Sequence, residues 1–585
     1  MNTTFRVFSY LRRYPLLGST QMFCAVLMTL LMLVFPQVTK HIVGEVIPNG
    51  NSSDLITAAM IALAAFAGTN LFNSLRIVIN NTFEQRVIYD IRSDLYQKLQ
   101  RLPMRWFDNK RTGDVMTRVT EDVTAMERVL IDGIEQGVVA ILQIIAFGLW
   151  MAWQSPALAG IALIPLPLLI AGAFIYTLTA PQRYRQVRSA TSDMNSLLHD
   201  NLDGMQQIKT FTREKSELEN FNQSSDLVRR AALRVMKIWA IYSPGMELCR
   251  NLGYVLVLGF GGYWMITNAH GFTPSSIGTL TGFLVSLSLF YDPITRLHQL
   301  NQIIQQGRAA GERVFEIIDA KEEPGIDEGI ELPLPVRGHV MLKSVGFSYN
   351  QDLPTLKDVS IEAKPGQTIA LVGHTGAGKS TIINLLNRFY EYDSGTISID
   401  DLDIHNVKKS SLRAAIGYVT QESFLFNGSI RHNLELACPE TRSDEQLWHA
   451  LDVANARDFV ERLPEGLETN VGERGVKLSV GEKQRISIAR VVLKAPPILL
   501  LDEATASVDT ETEKLIQDAL ENLMTDRTSF VIAHRLSTVR NADCIYVMHR
   551  GQVIEQGSHE ELVKKGGHYA TLSRTSLIAE TKTDG

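Results

Sequence analysis

Hydrophobic and polar positions follow two different rhythms along this chain. Up to about residue 300 the apolar residues gather in stretches of about 20, the length that crosses a bilayer's hydrocarbon core as a helix. Six such stretches run from Leu16 to Val38, Leu55 to Ile79, Gly137 to Trp153, Ala157 to Leu178, Leu248 to Thr267 and Ile277 to Leu297. Only Gln154, Ser155 and Pro156 separate the third from the fourth, which makes them a tight hairpin. Pro165 and Pro167 fall inside the fourth and are expected to kink it. Between spans, Asp90–Leu102 and Arg185–Leu202 keep an amphipathic helical period. The membrane helices are therefore expected to continue into the cytoplasm and turn back at elbows near Lys110–Val115 and Ile208–Arg213. Beyond Val340 the rhythm shortens. Apolar runs such as Thr368–Val372 and Ile498–Leu501 alternate with helical segments, the pattern of a predominantly parallel α/β sheet. Ala320–Val336, rich in acidic residues, Pro and Gly, marks the boundary. The expected layout is a transmembrane domain over 1–319, a linker over 320–338 and a soluble domain over 339–585.

Charge orients the membrane half. The loop after the second span carries Arg86, Arg92, Lys98, Arg101, Arg105, Lys110, Arg111, Arg118 and Arg128, and the loop after the fourth is as basic. The connections near Pro48–Asn51, Gln154–Pro156 and Asn268–Pro274 contain no Lys or Arg. By the positive-inside rule both long loops, both termini and the soluble domain are cytoplasmic, as in a multi-pass protein of a plasma (inner) membrane. The net charge is −6, and no exposed basic block suggests a nucleic-acid partner. Cys24, Cys249, Cys438 and Cys544 lack metal-ligand or redox spacing and read as isolated thiols. No cleavable signal peptide is expected, because the segment after Pro15 is too long for one.

The chemistry lies in the soluble half. Gly373-His374-Thr375-Gly376-Ala377-Gly378-Lys379-Ser380-Thr381 follows one apolar strand and opens a helix. Glycines let backbone N–H groups close on phosphate oxygens, and the helix N-terminus adds partial positive charge. Lys379 is placed to reach the β- and γ-phosphates and Ser380 to ligate Mg²⁺. A later apolar strand ends in Asp502-Glu503. Asp502 is the expected partner of the Mg²⁺ shell, and Glu503 beside it could polarise an attacking water.

Leu478-Ser-Val-Gly-Glu-Lys-Gln-Arg485 and His534 narrow the class. With the phosphate loop and Asp502-Glu503, they resemble the nucleotide-binding domain of ABC transporters. The resemblance implies ATP and Mg²⁺ as cofactors and an adenine-stacking role for Tyr349. It makes Gln421 the Q-loop glutamine at the metal, Asp509 part of the D-loop (Ser507–Asp509), and His534 the switch histidine. It places Ser479 and Gly481 against the γ-phosphate of an ATP held by a second chain. Val471–Gly475 resembles the segment that contacts the cytoplasmic loops in exporters. Six spans, long extensions and the run Leu102–Asp108 followed by Thr112–Asp114 resemble bacterial half-exporters of the lipid-flippase and multidrug type, the type IV exporter fold. The implied fold is a six-helix transmembrane α bundle with long cytoplasmic helical extensions, fused to a P-loop α/β nucleotide-binding domain.

The implied activity is ATPase-driven export or flipping of a small hydrophobic or amphipathic substrate, a lipid or drug-like molecule, by alternating access of a homodimer among membrane lipids. A dedicated peptide exporter, and an ATP-gated channel or regulatory subunit, are the alternatives. One departure stands out. The family signature has two glycines and then glutamine, where this chain has Val480, Gly481 and Glu482. The Glu482 side chain is expected to point away into surrounding loops.

Overall fold

The computed structural model describes residues 6, 10, 12–128, 133–350, 353–438, 440–502, 509–532 and 539–580. It divides into two compact units, Met1–Gln97 with Gly113–Asp319 and Lys98–Thr112 with Ala320–Gly585.

The first unit is all helical, built on Pro15–Met32, Val34–His41, Ser52–Gln100, Ile134–Gln154, Pro156–Ala162, Leu166–Asp203, Glu214–Thr267 and Ile277–Ile318. Ser52–Gln100 runs 49 residues without a break. At about 1.5 Å per residue it is roughly 70 Å long, more than twice a bilayer's hydrocarbon core. The amphipathic pattern of Asp90–Leu102 is thus the same helix leaving the apolar region. Among the described residues five helical segments are long and apolar enough to cross a membrane. The remaining expected span, Leu248–Thr267, is helical as the end of Glu214–Thr267 but is not one of the five. Arg250, Asn251 and its many glycines and aromatics dilute its hydropathy.

Two expectations need correcting. The fourth span is broken, not kinked: one helix stops at Ala162, residues 163–165 turn, and the next starts at Leu166. Pro167 then sits in the new helix's first turn, where its missing N–H costs nothing. The break frees the Ala162 carbonyl, and the buried Tyr291 hydroxyl donates to it at 2.5 Å. Gly253 makes room for that ring, since a Cβ there would lie 2.3 Å from Tyr291 Oη. The first elbow also lies earlier than expected. The long helix ends at Gln100, Met104–Asp108 forms a short helix, and the next helix already begins at Thr112. Pro103 sets this point, because the residue before a proline is pushed out of the helical region. The second elbow has the same build, a short helix Met205–Thr210 followed by a turn to Arg213.

The second unit holds two sheets. Strands β1 (Val340–Phe347), β2 (Leu356–Ala363), β4 (Ser394–Ile399) and β5 (Leu402–Asp403) form an antiparallel sheet in the order β2-β1-β4-β5. Strands β3 (Thr368–Val372), β6 (Ile416–Val419), β7 (Ile498–Asp502), β8 (Thr528–Ile532), β9 (Cys544–His549) and β10 (Gln552–Gly557) form the order β10-β9-β3-β8-β7-β6. All pairs from β9 to β6 are parallel, and β10 joins antiparallel at the edge. β7 and β8 are buried along nearly their whole length because both faces are covered.

The linker is part of this unit's packing. Glu323 is buried and accepts from Lys409 Nζ at 3.0 Å and Arg413 Nη2 at 2.6 Å. Lys409, 2% exposed, also pairs with Glu391 at 2.9 Å. Glu322 receives Lys98 at 2.9 Å and Arg101 at 2.7 Å, so the linker grips the residues leading into the first elbow. Removing one member of a buried charge network leaves the others uncompensated. Lys409→Met is expected to destabilise the nucleotide unit by about 3 kcal/mol, read as a lower thermal midpoint of the purified full chain, with Lys409→Arg recovering part of it.

Candidate nucleotide site

The phosphate loop joins β3 to the helix Lys379–Leu386. Gly373 has φ of 156° and Gly378 of 101°. A Cβ on Gly373 would lie 2.3 Å from the Met548 carbonyl oxygen, and one on Gly378 2.6 Å from Leu356 Cδ2. Only glycine lets the loop run this close to its neighbours with that backbone. Gly378 caps the helix without a side-chain hydrogen bond, so its first-turn N–H groups are left to an anion. His374, Thr375, Gly376 and Ser380 are exposed along the loop, while Ala377, Lys379 and Thr381 are buried.

Lys379 is 6% exposed, and its ammonium donates to the carbonyls of Gly373 at 2.7 Å and His374 at 3.1 Å. Burial lowers its pKa from the ordinary lysine range, and the charge of Asp502 pulls the other way. A buried cation held mainly by two carbonyls is a fitting partner for phosphate oxygens.

Parallel strands bring the remaining groups to the same edge. β3, β8, β7 and β6 all point one way, so the phosphate loop and Asp502 follow the same edge of the sheet. Gln421 comes two residues after Val419, which is registered with Leu501, next to Asp502. Glu503 and His534 continue from the ends of β7 and β8 and lie outside the described residues. Tyr349, two residues past β1, donates its hydroxyl to Thr381 Oγ1 at 3.4 Å and accepts from Asn384 at 3.4 Å. That sets its ring beside the helix of the phosphate loop.

The sequence reading missed what holds Tyr349 from behind. Arg105, on the elbow helix Met104–Asp108, donates to the Tyr349 carbonyl at 2.7 Å. Tyr390 stands edge-on to the Tyr349 ring, with centroids 5.0 Å apart, and donates its hydroxyl to Asp108 at 2.6 Å. The run Leu102–Asp108 was visible as a motif, but nothing local tells which strand end it meets.

Ser479 and Gly481 stand apart from this group. Ser479 caps the helix Val480–Lys494, with Gly481 in its first turn. Among the described residues no hydrogen bond or ion pair joins them to Gly373–Thr381. Asp509 caps the helix Thr510–Met524, accepting from the Thr512 N–H at 3.0 Å. Hydrogen bonds from Thr512, with the charge of Arg485, hold its carboxyl below the usual range.

Glu482 contradicts the expectation that it points away. Its carboxylate turns back and accepts from the Ser479 N–H at 2.8 Å and the Ser479 hydroxyl at 2.9 Å, while the Glu482 N–H donates to Ser479 Oγ at 3.3 Å. This is a capping box. The signal was in the sequence, since Ser479-Val-Gly-Glu482 has the S-x-x-E spacing of that motif.

Residues 19–294 match the family model "ABC transporter transmembrane region", and residues 356–506 match the model "ABC transporter". The "ATP-dependent lipid A-core flippase" of Syntrophus aciditrophicus (strain SB) is 38% identical over 496 residues, 83% of this chain and 80% of that protein. This chain belongs to the ABC transporter family. A second member, the "Fatty acid ABC transporter ATP-binding/permease protein" of Mycobacterium tuberculosis (strain CDC 1551 / Oshkosh), is 38% identical over 514 residues, 88% of this chain and 80% of that protein. A bacterial Atm1-family ABC exporter solved with ATP bound matches the fold with a TM-score of 0.81 at 29% identity, covering 96% of this chain and 98% of that one. This ABC transporter is thus a multi-pass half-transporter, a membrane region and a nucleotide-binding region in one chain, and an ATPase coupled to transport.

In this transporter the position of Tyr349 yields a test. Stacking on a base supplies binding that is equal in the ground and transition states. Tyr349→Ala is expected to raise KM for ATP about tenfold while kcat stays within a factor of about two; steady-state ATPase kinetics on purified protein check it.

Proposed function

We propose that two copies of this chain form a pump that moves a lipid-like amphipathic molecule across the inner membrane, with the nucleotide units in the cytoplasm. The observation that carries the dimer is the separation of the phosphate loop from Ser479 and Gly481. One chain supplies both halves of a site, yet among the described residues no hydrogen bond or ion pair joins them. Two copies would form two composite sites, each pairing Gly373–Thr381 of one protomer with Ser479–Gly481 of its partner. The names of the flippase and fatty-acid relatives support a lipid-like cargo. So does a cleft of about 470 Å³ in the membrane unit, lined by Arg76, Asn80, Glu135 and Arg296 beside Ile77 and Val139. Arg76 pairs with Glu135 at 2.5 Å there. Ionisable groups in an apolar span mark a path for polar parts of a cargo. The asymmetry of Lys and Arg between the connections supports the orientation.

Within each site Lys379 and the loop N–H groups bind phosphate oxygens, and Tyr349 stacks on adenine. Mg²⁺ would be held by the Ser380 hydroxyl and Asp502, with Gln421 beside them, a hard-oxygen donor set of the kind that ion takes with nucleotide phosphates. When bound it neutralises charge on the β- and γ-phosphates. Glu503 orients or deprotonates the water, and His534 steadies the γ-phosphate. ATP binding favours the closed dimer, because only closure completes the site, and product release reopens it. The elbow helix Met104–Asp108, fixed to Tyr349 and Tyr390, is placed to carry that motion.

Two measurements test this reading. Glu503→Gln should still bind ATP and dimerise, with ATPase activity down by roughly two to four orders of magnitude; near-normal turnover removes Glu503 from the role. In sealed proteoliposomes with outward nucleotide units, ATP should drive a labelled phospholipid or fatty acid to accumulate in proportion to turnover. Equilibration without accumulation indicates a channel, and accumulation of peptides alone indicates a peptide exporter.

A further inference from the structure

The signature segment of this chain carries a negative charge at the place where it must meet another. Ser479 Oγ and the Ser479 N–H both bind the same oxygen of Glu482, at 2.9 and 2.8 Å. The Ser479 side chain is exposed at the helix N-terminus, and Val480 beside it is 54% exposed. An N-terminus of this kind attracts anions through its unpaired N–H groups and the helix dipole. Here a carboxylate from the third position of the same helix already occupies two of the donors. Glutamine in that position, as in the family signature, could make the same bonds through its carbonyl oxygen without the charge.

Resting on the composite site proposed above, we propose that Glu482 is a positioning residue that weakens closure of the nucleotide units around ATP. It holds the Ser479 hydroxyl inward, so the γ-phosphate of the ATP on the partner has to compete with a carboxylate for that hydrogen. It also keeps one negative charge within a hydrogen bond's length of the group that must approach a phosphate. Both effects raise the ATP concentration needed to close the dimer and favour reopening. The charges facing Ser479 decide the size of the effect. Arg485 sits one turn further along the helix, buried, and donates to the Gly481 and Asn455 carbonyls, so its hydrogen bonds are directed away from Glu482. No ion pair to Glu482 is present among the described residues; its carboxylate is held by the two Ser479 hydrogen bonds and feels the charge of the buried Arg485 only through space.

The test separates charge from capping. Glu482→Gln keeps the cap and removes the charge, whereas Glu482→Ala removes both. In full-length protein in nanodiscs, Glu482→Gln is expected to lower KM for ATP about tenfold, the order of one repulsion between unit charges in a partly solvated site. Its thermal midpoint should match that of the unaltered chain. The KM difference should shrink as ionic strength rises from low to molar salt, because the repulsion is screened. Glu482→Ala should also lower KM but lower the thermal midpoint as well, through the lost cap. A Glu482→Gln KM within about twofold of the unaltered value, or a KM difference that ignores salt, overturns the proposal. Lys379→Ala guards the underlying reading. If the unaltered chain shows no ATPase activity that Lys379→Ala removes, the composite ATP site falls and this proposal with it. If it does, and Glu482→Gln changes nothing, the role of Glu482 alone falls.

Discussion

The ammonium of Lys379 is buried against two carbonyls at the edge of a parallel sheet, and the loop and the end of β7 together hold it there. Desolvating a cation is costly unless hydrogen bonds or an anion compensate. The loop supplies the hydrogen bonds, and Asp502 at the end of β7 supplies the nearby negative charge. Gly373 packs against the Met548 carbonyl, which needs a backbone that only glycine adopts without strain, and this fixes the carbonyls that hold the ammonium. The uncapped helix beyond the loop and the nearby charge of Asp502 set up a strongly polarised pocket. In the proposed function a nucleotide's phosphates complete it, at the place where the loop, the strand end and Tyr349 converge.

The membrane unit obeys a related constraint with the opposite solvent. Where its helices break, the freed carbonyls must find partners inside the protein. Tyr291 answers the break at Ala162, and Gly253 yields the space for its ring. Away from the apolar region the same helices continue as amphipathic rods, and the chain reverses where Pro103 stops one of them. The elbow helix that follows is held to Tyr349 and Tyr390 by Arg105 and Asp108. Tyr349 is therefore tied to the short helix Met104–Asp108 through hydrogen bonds of ordinary length and the edge-on ring of Tyr390.

Glu482 gives this arrangement a second setting. A capping box normally stabilises the start of a helix and nothing more. In the composite site proposed above, the capped serine is also the residue that has to reach a phosphate across an interface. On the proposal made for Glu482, one carboxylate serves the fold of a single chain and opposes the assembly of two, which couples helix stability to closure through the same two hydrogen bonds.

Local sequence determined a good deal. Apolar length identified membrane helices, because crossing hydrocarbon requires an uninterrupted run of apolar residues. Glycine spacing before Lys379-Ser380 marked the tight loop between β3 and its helix, because the loop's backbone admits few other residues. The S-x-x-E spacing of Ser479 and Glu482 was equally local and decided the direction of the Glu482 side chain. The first elbow was legible only in part: Pro103 marks the helix end, but the helical pattern beyond it hid the turn. What the tertiary structure alone decided are meetings between residues far apart in the chain. Sheet order put Asp502 and Gln421 on the edge that carries the loop, and folding set Tyr349 against Thr381 and Arg105. The same folding left Ser479 and Gly481, among the described residues, without a hydrogen bond or ion pair to the phosphate loop that shares their chain. Periodicity reports which face of an element is apolar, and so cannot say which other element will cover it; that choice is made only when all the faces are buried together.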